Sequence, residues 1–241
     1  MQRRRFIEIC VAGAGGCAAG QVLSQSPPAK SGIALQPQKF DRARLVTPDN
    51  QPIHAAALLR GVGYVFNYPY VTTPCFLLRL PQSAAGPSPL TTEAGDTYTW
   101  PGGVGPDRSI VAYSAICAHK LAYPSPQVSF IGYREKPTPI YPKGNVIGCC
   151  AEKSVYDPSV GAKVLGGPAP QPLAAILIEH DAASDELFAV GTFGGHKFKE
   201  FFEKYEFKLT LESGSSKVRN MAGGSVVVKP LAQYSRQTAQ C

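Results

Sequence analysis

Five residues in the middle of this chain have the types and spacing to bind a metal. Cys117 and His119 are one residue apart, and about thirty residues later Cys149 and Cys150 stand side by side, with Glu152 two positions on. Thiolate and imidazole are donors that suit zinc, copper and iron–sulfur groups. A redox dithiol built from the adjacent cysteines is a poorer reading, because a vicinal disulfide is strained and no C-x-x-C occurs. No acid–base pair, catalytic triad or phosphate-binding loop is visible. Any catalysis is therefore expected to belong to a larger complex.

The surrounding residues extend the pattern. The first segment reads Ser114-Ala115-Ile116-Cys117-Ala118-His119-Lys120, and the second reads Gly148-Cys149-Cys150-Ala151-Glu152-Lys153-Ser154-Val155-Tyr156-Asp157, followed by Gly166-Gly167-Pro168-Ala169-Pro170-Gln171-Pro172. Together they resemble the two cluster-binding loops of the Rieske iron–sulfur proteins, of the respiratory quinol–cytochrome c reductase type. In that family a C-x-H loop and a C-x-x-H loop, each on a β-hairpin, hold a 2Fe-2S cluster under a proline-rich loop that here contains Gly167 and Pro168. The resemblance spans roughly residues 40–210 and implies Cys117, His119 and Cys149 as ligands.

The second histidine is missing. Aligned without a gap, Glu152 takes its place, which leaves Glu152 or Cys150 as the fourth ligand. Starting the second loop at Cys150 instead puts Lys153 there and needs a deletion. The family's inter-loop disulfide is also lacking, since its positions align with Ala122 and Ala151. Ser154 and Tyr156 align with hydroxyls that, in high-potential members, hydrogen-bond the bridging sulfide and a cysteine sulfur. Neutral imidazoles raise such a centre to roughly −150 to +300 mV, and an anionic ligand in place of one lowers it.

Two functions follow from the resemblance. One is a single-electron carrier with altered ligation, an electron-transfer subunit of a quinol- or cytochrome-linked complex with cytochrome b or c partners. The other is a subunit that has lost its cluster and serves as a structural or binding module, its cysteines relics or holders of a mononuclear ion such as zinc.

The elements that position these loops read as mostly β. Twenty-two prolines and 24 glycines call for many turns. The fold expected from the resemblance is an antiparallel β-sandwich with a small cluster-binding subdomain and one C-terminal amphipathic helix. Two strands are predicted over Asp41–Leu59, further strands over Tyr64–Pro69 and Cys75–Leu80, and a loop over Ala84–Pro106. Strands over Ser109–Ile116 and Asn145–Gly148 deliver the cysteines, and Leu173–Glu179 with Glu186–Val190 form a hairpin. Phe198, Phe201, Phe202 and Tyr205 at i, i+3, i+4 and i+7 predict a helix over Lys197–Tyr205. Lys208–Leu211 is read as a last strand. His54 and His180 are read as ordinary surface or strand histidines, His196 as a helix cap and Cys75 as core; Cys241 is either free or bridged.

The chain opens Met1-Gln2-Arg3-Arg4-Arg5-Phe6-Ile7-Glu8, which resembles a twin-arginine export signal. That pathway carries folded proteins with their metal groups loaded. Residues 1–23 are thus expected as a signal or membrane anchor, with Cys17 a lipidation candidate, and 24–40 as a flexible linker. Residues 41–212 form the Rieske-like domain and 213–241 a basic tail, disordered by default. Export places the domain in the periplasm, held to the bacterial inner membrane if the segment is retained. The net charge of +7 partly belongs to the signal, and no nucleic-acid motif is present.

Overall fold

The computed structural model describes residues 32–138 and 140–241. The expected export signal, Cys10, Cys17 and linker residues 24–31 lie outside the described residues. The strands are β1 (Gln38–Val46), β2 (Gly63–Asn67), β3 (Pro74–Arg79), β4 (Ser88–Thr91), β5 (Thr97–Trp100) and β6 (Ile110–Ser114). Next come β7 (Val128–Ser129), β8 (Ile131–Arg134), β9 (Val146–Cys149), β10 (Ser154–Asp157), β11 (Lys163–Gly166), β12 (Ala175–Asp181) and β13 (Glu186–Phe193). The chain closes with helix α1 (Phe198–Ser213), β14 (Gly224–Val227), β15 (Lys229–Pro230), helix α2 (Leu231–Tyr234) and β16 (Gln237–Thr238).

Eight strands form one large sheet in the order β14-β1-β13-β12-β6-β3-β2-β15. Pairing is antiparallel except where β14 runs along β1. Alternation along each strand sends side chains to opposite faces, and both faces are covered. Leu45, Phe66, Leu77, Ile110, Ile176, Leu187 and Val226 fill one side. Phe76, Leu78, Val111 and Tyr113 point to the other, where Trp100, Ile147 and Tyr156 meet them. Each large side chain buried this way contributes about 1.5–3 kcal/mol. The sheet curls so far that its end strands β14 and β15 are separated by Val228 alone. The mostly β architecture expected from the sequence is therefore the one observed.

A second sheet, β11-β10-β9-β8, carries the Cys149 loop and stands as the small subdomain. Its apolar residues Ile131, Ile147 and Tyr156 join the core on the outer face of the large sheet. Helix α1 covers the other loop: Phe198, Phe201, Phe202 and Leu209 are buried against Ile116, Leu121 and Tyr123.

Several expectations are corrected. Helix α1 runs on to Ser213, so Lys208–Leu211 is helix and not strand. Leu209 continues the apolar stripe, Lys208 pairs with Glu212 at i, i+4, and Gly214 ends the helix in the left-handed region at φ 64°. Within Ala84–Pro106 the predicted loop contains the hairpin β4–β5, which buries Leu90, Tyr98 and Trp100 on the core. The second strand expected before Leu59 is absent; isolated bridges at Pro52 and His54 lead into a 3-10 turn over Ala55–Ala57. Linker residues beyond Ile33 are docked rather than free, with the Leu35 amide donating to Thr97 at 2.8 Å and β1 starting at Gln38. Residues 213–241, expected to be disordered, are ordered and supply three strands and a helical turn.

Candidate metal centre

The first loop leaves β6 held by two neighbouring segments. The Ser114 amide donates to Ala174 and the Ala115 amide to Pro74, both at 2.8 Å. The chain then turns tightly: the Cys117 amide donates to Ala122 at 2.9 Å and the Leu121 amide to Cys117 at 3.0 Å. Leu121 adopts φ +62° to close this turn. The result points the amides of His119 and Lys120 at the Cys117 sulfur. The second loop is the β9–β10 hairpin, in which Cys149 pairs with Ser154 across the strands. Its reversal places Lys153 at φ +59° and points the amides of Ala151 and Glu152 at the Cys149 sulfur.

These two turns bring their cysteines together. Both are fully buried, and each lies near enough to shift the ionisation of the other. The Tyr156 hydroxyl lies 3.3 Å from the Cys117 sulfur and accepts the Ala118 amide at 3.2 Å. The neighbouring Cys149 first, then Tyr156 and the two loop amides, pull Cys117 well below the ordinary thiol range, against the opposing effect of burial. Cys149 is pushed up, by the neighbouring Cys117 first and then by its own burial. Burial, then the neighbouring Cys117, also raises Tyr156, so its hydroxyl stays a donor. The site is built to hold negative charge on sulfur.

Two buried polar atoms beside this pair have no partner: Oγ of Ser154 and Nδ1 of His119. Ser154 is fully buried directly across from Cys149, while His119 as a whole is only half-buried. Buried groups left unsatisfied cost about 1–3 kcal/mol each, and a native site that tolerates two of them next to two thiols calls for an explanation. A group bound between the loops supplies one.

The remaining expected residues are placed as follows. Glu152 is exposed, and it is its amide that faces the thiols. Cys150 is corrected as a ligand: it is disulfide-bonded to Cys241, so its sulfur is committed elsewhere. Gly167 seats against the hairpin tip at φ +81°, where a Cβ would stand 2.4 Å from the Lys153 carbonyl oxygen and 2.6 Å from the Ser154 Cα. Only glycine fits there. Pro168 is exposed beside it. His54, His180 and His196 serve other places: His54 faces Ser184, His180 pairs with Asp185 at 2.8 Å, and His196 contacts Gln38 and stacks on Phe198. His196 is not the helix cap it was expected to be, because Lys197 holds that position.

Cys117, Cys149 and His119 are the residues that would hold a sulfide-bridged metal group here, thiolate and imidazole being its ordinary donors. Among the described residues no three His, Cys, Asp or Glu side chains converge on a single ion. Sequence reasoning missed Tyr141 and Arg134 and left Cys241 as either free or bridged; all three support the Cys149 hairpin from outside. For Cys241 a signal existed: once Cys117 and Cys149 are assigned and Cys75 is given to the core, Cys150 and Cys241 are left as a pair.

No family model matches the chain. Among solved structures it is similar to the crystal structure of the soluble domain of the Rieske protein II (soxF) from Sulfolobus acidocaldarius, at 27% sequence identity. The match covers 65% of this chain and 82% of that one, with a TM-score of 0.44. The functional reading rests on the residues of this chain.

Proposed function

We propose that this protein is a Rieske-type electron carrier whose 2Fe-2S cluster is held by Cys117 and Cys149 on one iron and His119 on the other. When bound, such a cluster supplies a one-electron couple at a potential set by its ligands and hydrogen bonds. What carries the reading is the adjacency of two buried thiols flanked by two unsatisfied buried atoms, Ser154 Oγ and His119 Nδ1. Tyr156 donates toward Cys117, the loop amides cradle both sulfurs, and Gly167 lets the proline-rich loop close onto the hairpin tip. His119 is the one of the three donors with exposed surface.

The fourth ligand is the carboxylate of Glu152 after rotation inward, or solvent. The carboxylate, being anionic, would lower the potential relative to a two-imidazole centre. The twin-arginine-like opening supports export to the periplasm with the cluster loaded, and the family resemblance supports quinol- or cytochrome-linked partners at the membrane. Among the described residues no helix is long and apolar enough to cross a membrane.

The test is anaerobic purification followed by iron and sulfide analysis and electron paramagnetic resonance. Two irons and two sulfides per chain with a rhombic signal after reduction are expected. The exposed Glu152 where an imidazole is expected favours a second reading, a cluster-free binding module, and zinc alone or no metal would establish it.

A further inference from the structure

Residues 229–241 follow a path that no local sequence pattern requires. Lys229–Pro230 pairs with β2 at the edge of the large sheet, and the chain then crosses to the small one. Leu231 is buried against Gly132 of β8, where a Cβ would stand 2.9 Å from Leu231 Cδ2. From there the backbone is tied down nearly residue by residue. Ser235 Oγ donates to Ser125 at 2.6 Å, the Arg236 amide to Pro126 at 3.0 Å and the Ala239 amide to Ser129 at 2.8 Å. Gln237 and Thr238 pair with β7.

The last contacts reach the site itself. Arg134 donates to the Ala239 carbonyl and lies 3.5 Å from the Cys150 sulfur. Cys241 then bonds to Cys150, the neighbour of Cys149, across 91 residues of chain. Tyr141 is fully buried beneath this closure: its hydroxyl is 3.4 Å from the Cys241 sulfur, and its ring occupies the space over Gly148. The hairpin that presents Cys149 is therefore held on its outer side by a segment anchored in the large sheet, the sheet that delivers Cys117.

We propose that residues 229–241 form a strap whose Cys150–Cys241 bond positions the Cys149 hairpin against the Cys117 loop, so that retention of a bound metal group depends on an oxidising environment. The inference rests on the electron-carrier reading for the group retained, but not for the positioning. Opening the bond takes two electrons and two protons from a dithiol, which leaves as a disulfide while Cys150 and Cys241 become thiols. Cys150, Cys241 and Arg134 are positioning residues: they act through the hairpin.

The experiment compares the full-length protein with Cys241→Ser and with the double variant Cys150→Ser/Cys241→Ser, which carries no stray thiol. Amide hydrogen exchange is followed in chains freed of metal by a chelator, for residues 146–156 and, as a control, for 175–193. Protection of 146–156 is expected to fall by about tenfold in both variants with the control unchanged. Equal loss in both segments, or none in the hairpin, overturns the proposal. In the loaded protein, dithiothreitol should speed iron release to a chelator in the wild type and leave the double variant, already fast, unaffected. Equal release rates for wild type and double variant overturn the retention half. A wild type that never holds iron overturns the electron-carrier reading, and the exchange comparison then decides the positioning alone.

Discussion

The hydroxyl of Tyr156 sits 3.3 Å from the sulfur of Cys117, a residue 39 positions earlier in the loop that leaves a different sheet. One side chain thereby links the two loops, since the same oxygen also accepts the Ala118 amide. Removing it in Tyr156→Phe takes a donor from the thiolate and an acceptor from the amide. Folding stability is expected to drop by about 1–2 kcal/mol in thermal or urea unfolding. In the loaded protein the midpoint potential should fall by several tens of millivolts, taking about 59 mV per tenfold for one electron. An unchanged potential would mean that this oxygen does not act on the metal group.

Ser154 gives the opposite sign in the metal-free chain. Its Oγ is buried with nothing to bond, so Ser154→Ala should leave the metal-free protein unchanged or more stable by about 1 kcal/mol. The loaded protein should instead lose potential, because the hydroxyl has a partner only when the site is filled. Differential scanning calorimetry on the metal-free chain and redox titration on the loaded one measure the two effects separately.

Gly167→Ala tests the proline-rich loop. The substitution places a Cβ into the Lys153 carbonyl and the Ser154 backbone at a φ that side chains disfavour. A loss of about 2–3 kcal/mol is expected from backbone strain and overpacking together. Gly166→Ala, where no atom lies within 4 Å of the added carbon, is the control and should cost far less.

Phe201 is fully buried in the cluster that joins helix α1 to Ile116, Leu121 and Tyr123 of the first loop. Phe201→Ala should cost about 3–5 kcal/mol. Because the cavity opens behind the Cys117 turn, a thiol reagent should also reach Cys117 faster in the metal-free variant.

Asp107 supplies a pH dependence away from the metal. It accepts from Ser109 Oγ at 2.7 Å and pairs with Arg60 and, at 3.5 Å, with Arg79. The Ser109 hydroxyl first, with Arg60 and against partial burial, holds its carboxyl down to about 2. A depressed value stabilises the fold above the unfolded carboxyl's pKa of about 3.9, and that contribution is lost as pH falls toward 2. With the carboxylate one-third exposed, solvent screening limits the effect to about 1 kcal/mol. Asp107→Asn should therefore be less stable than wild type at pH 7, and the difference should vanish near pH 2 in urea titrations.

What the sequence made legible was local. The strands that deliver Cys117 and Cys149 and the Leu173–Val190 hairpin could be read because turn residues and apolar alternation sit within a few positions of each other, while the two cysteine loops were legible through their resemblance to the Rieske loops. The β4–β5 hairpin was hidden by its polar outer faces, although Gly95 at φ +91° marks its turn. Lys208–Leu211 alternates like a strand, yet Leu209 is packed by the helix stripe that precedes it. Of the site's outer support, the Cys150–Cys241 pair could be reached only by elimination, being 91 residues apart, while the packing of Tyr141 and Arg134 left no local pattern. Glu152 could be aligned with a ligand position, but alignment says nothing about which way a turn aims its side chain.

Residues 224–230 stand at both flanks of the eight-stranded sheet, as β14 beside β1 and β15 beside β2. Exposed sheet margins invite strands from other molecules, and very short closing strands are one way proteins refuse them. A single run of seven residues thus guards two borders at once. Cutting the chain before Gly224 would bare both, and the expected fate of such a fragment is self-association through its backbone rather than simple unfolding.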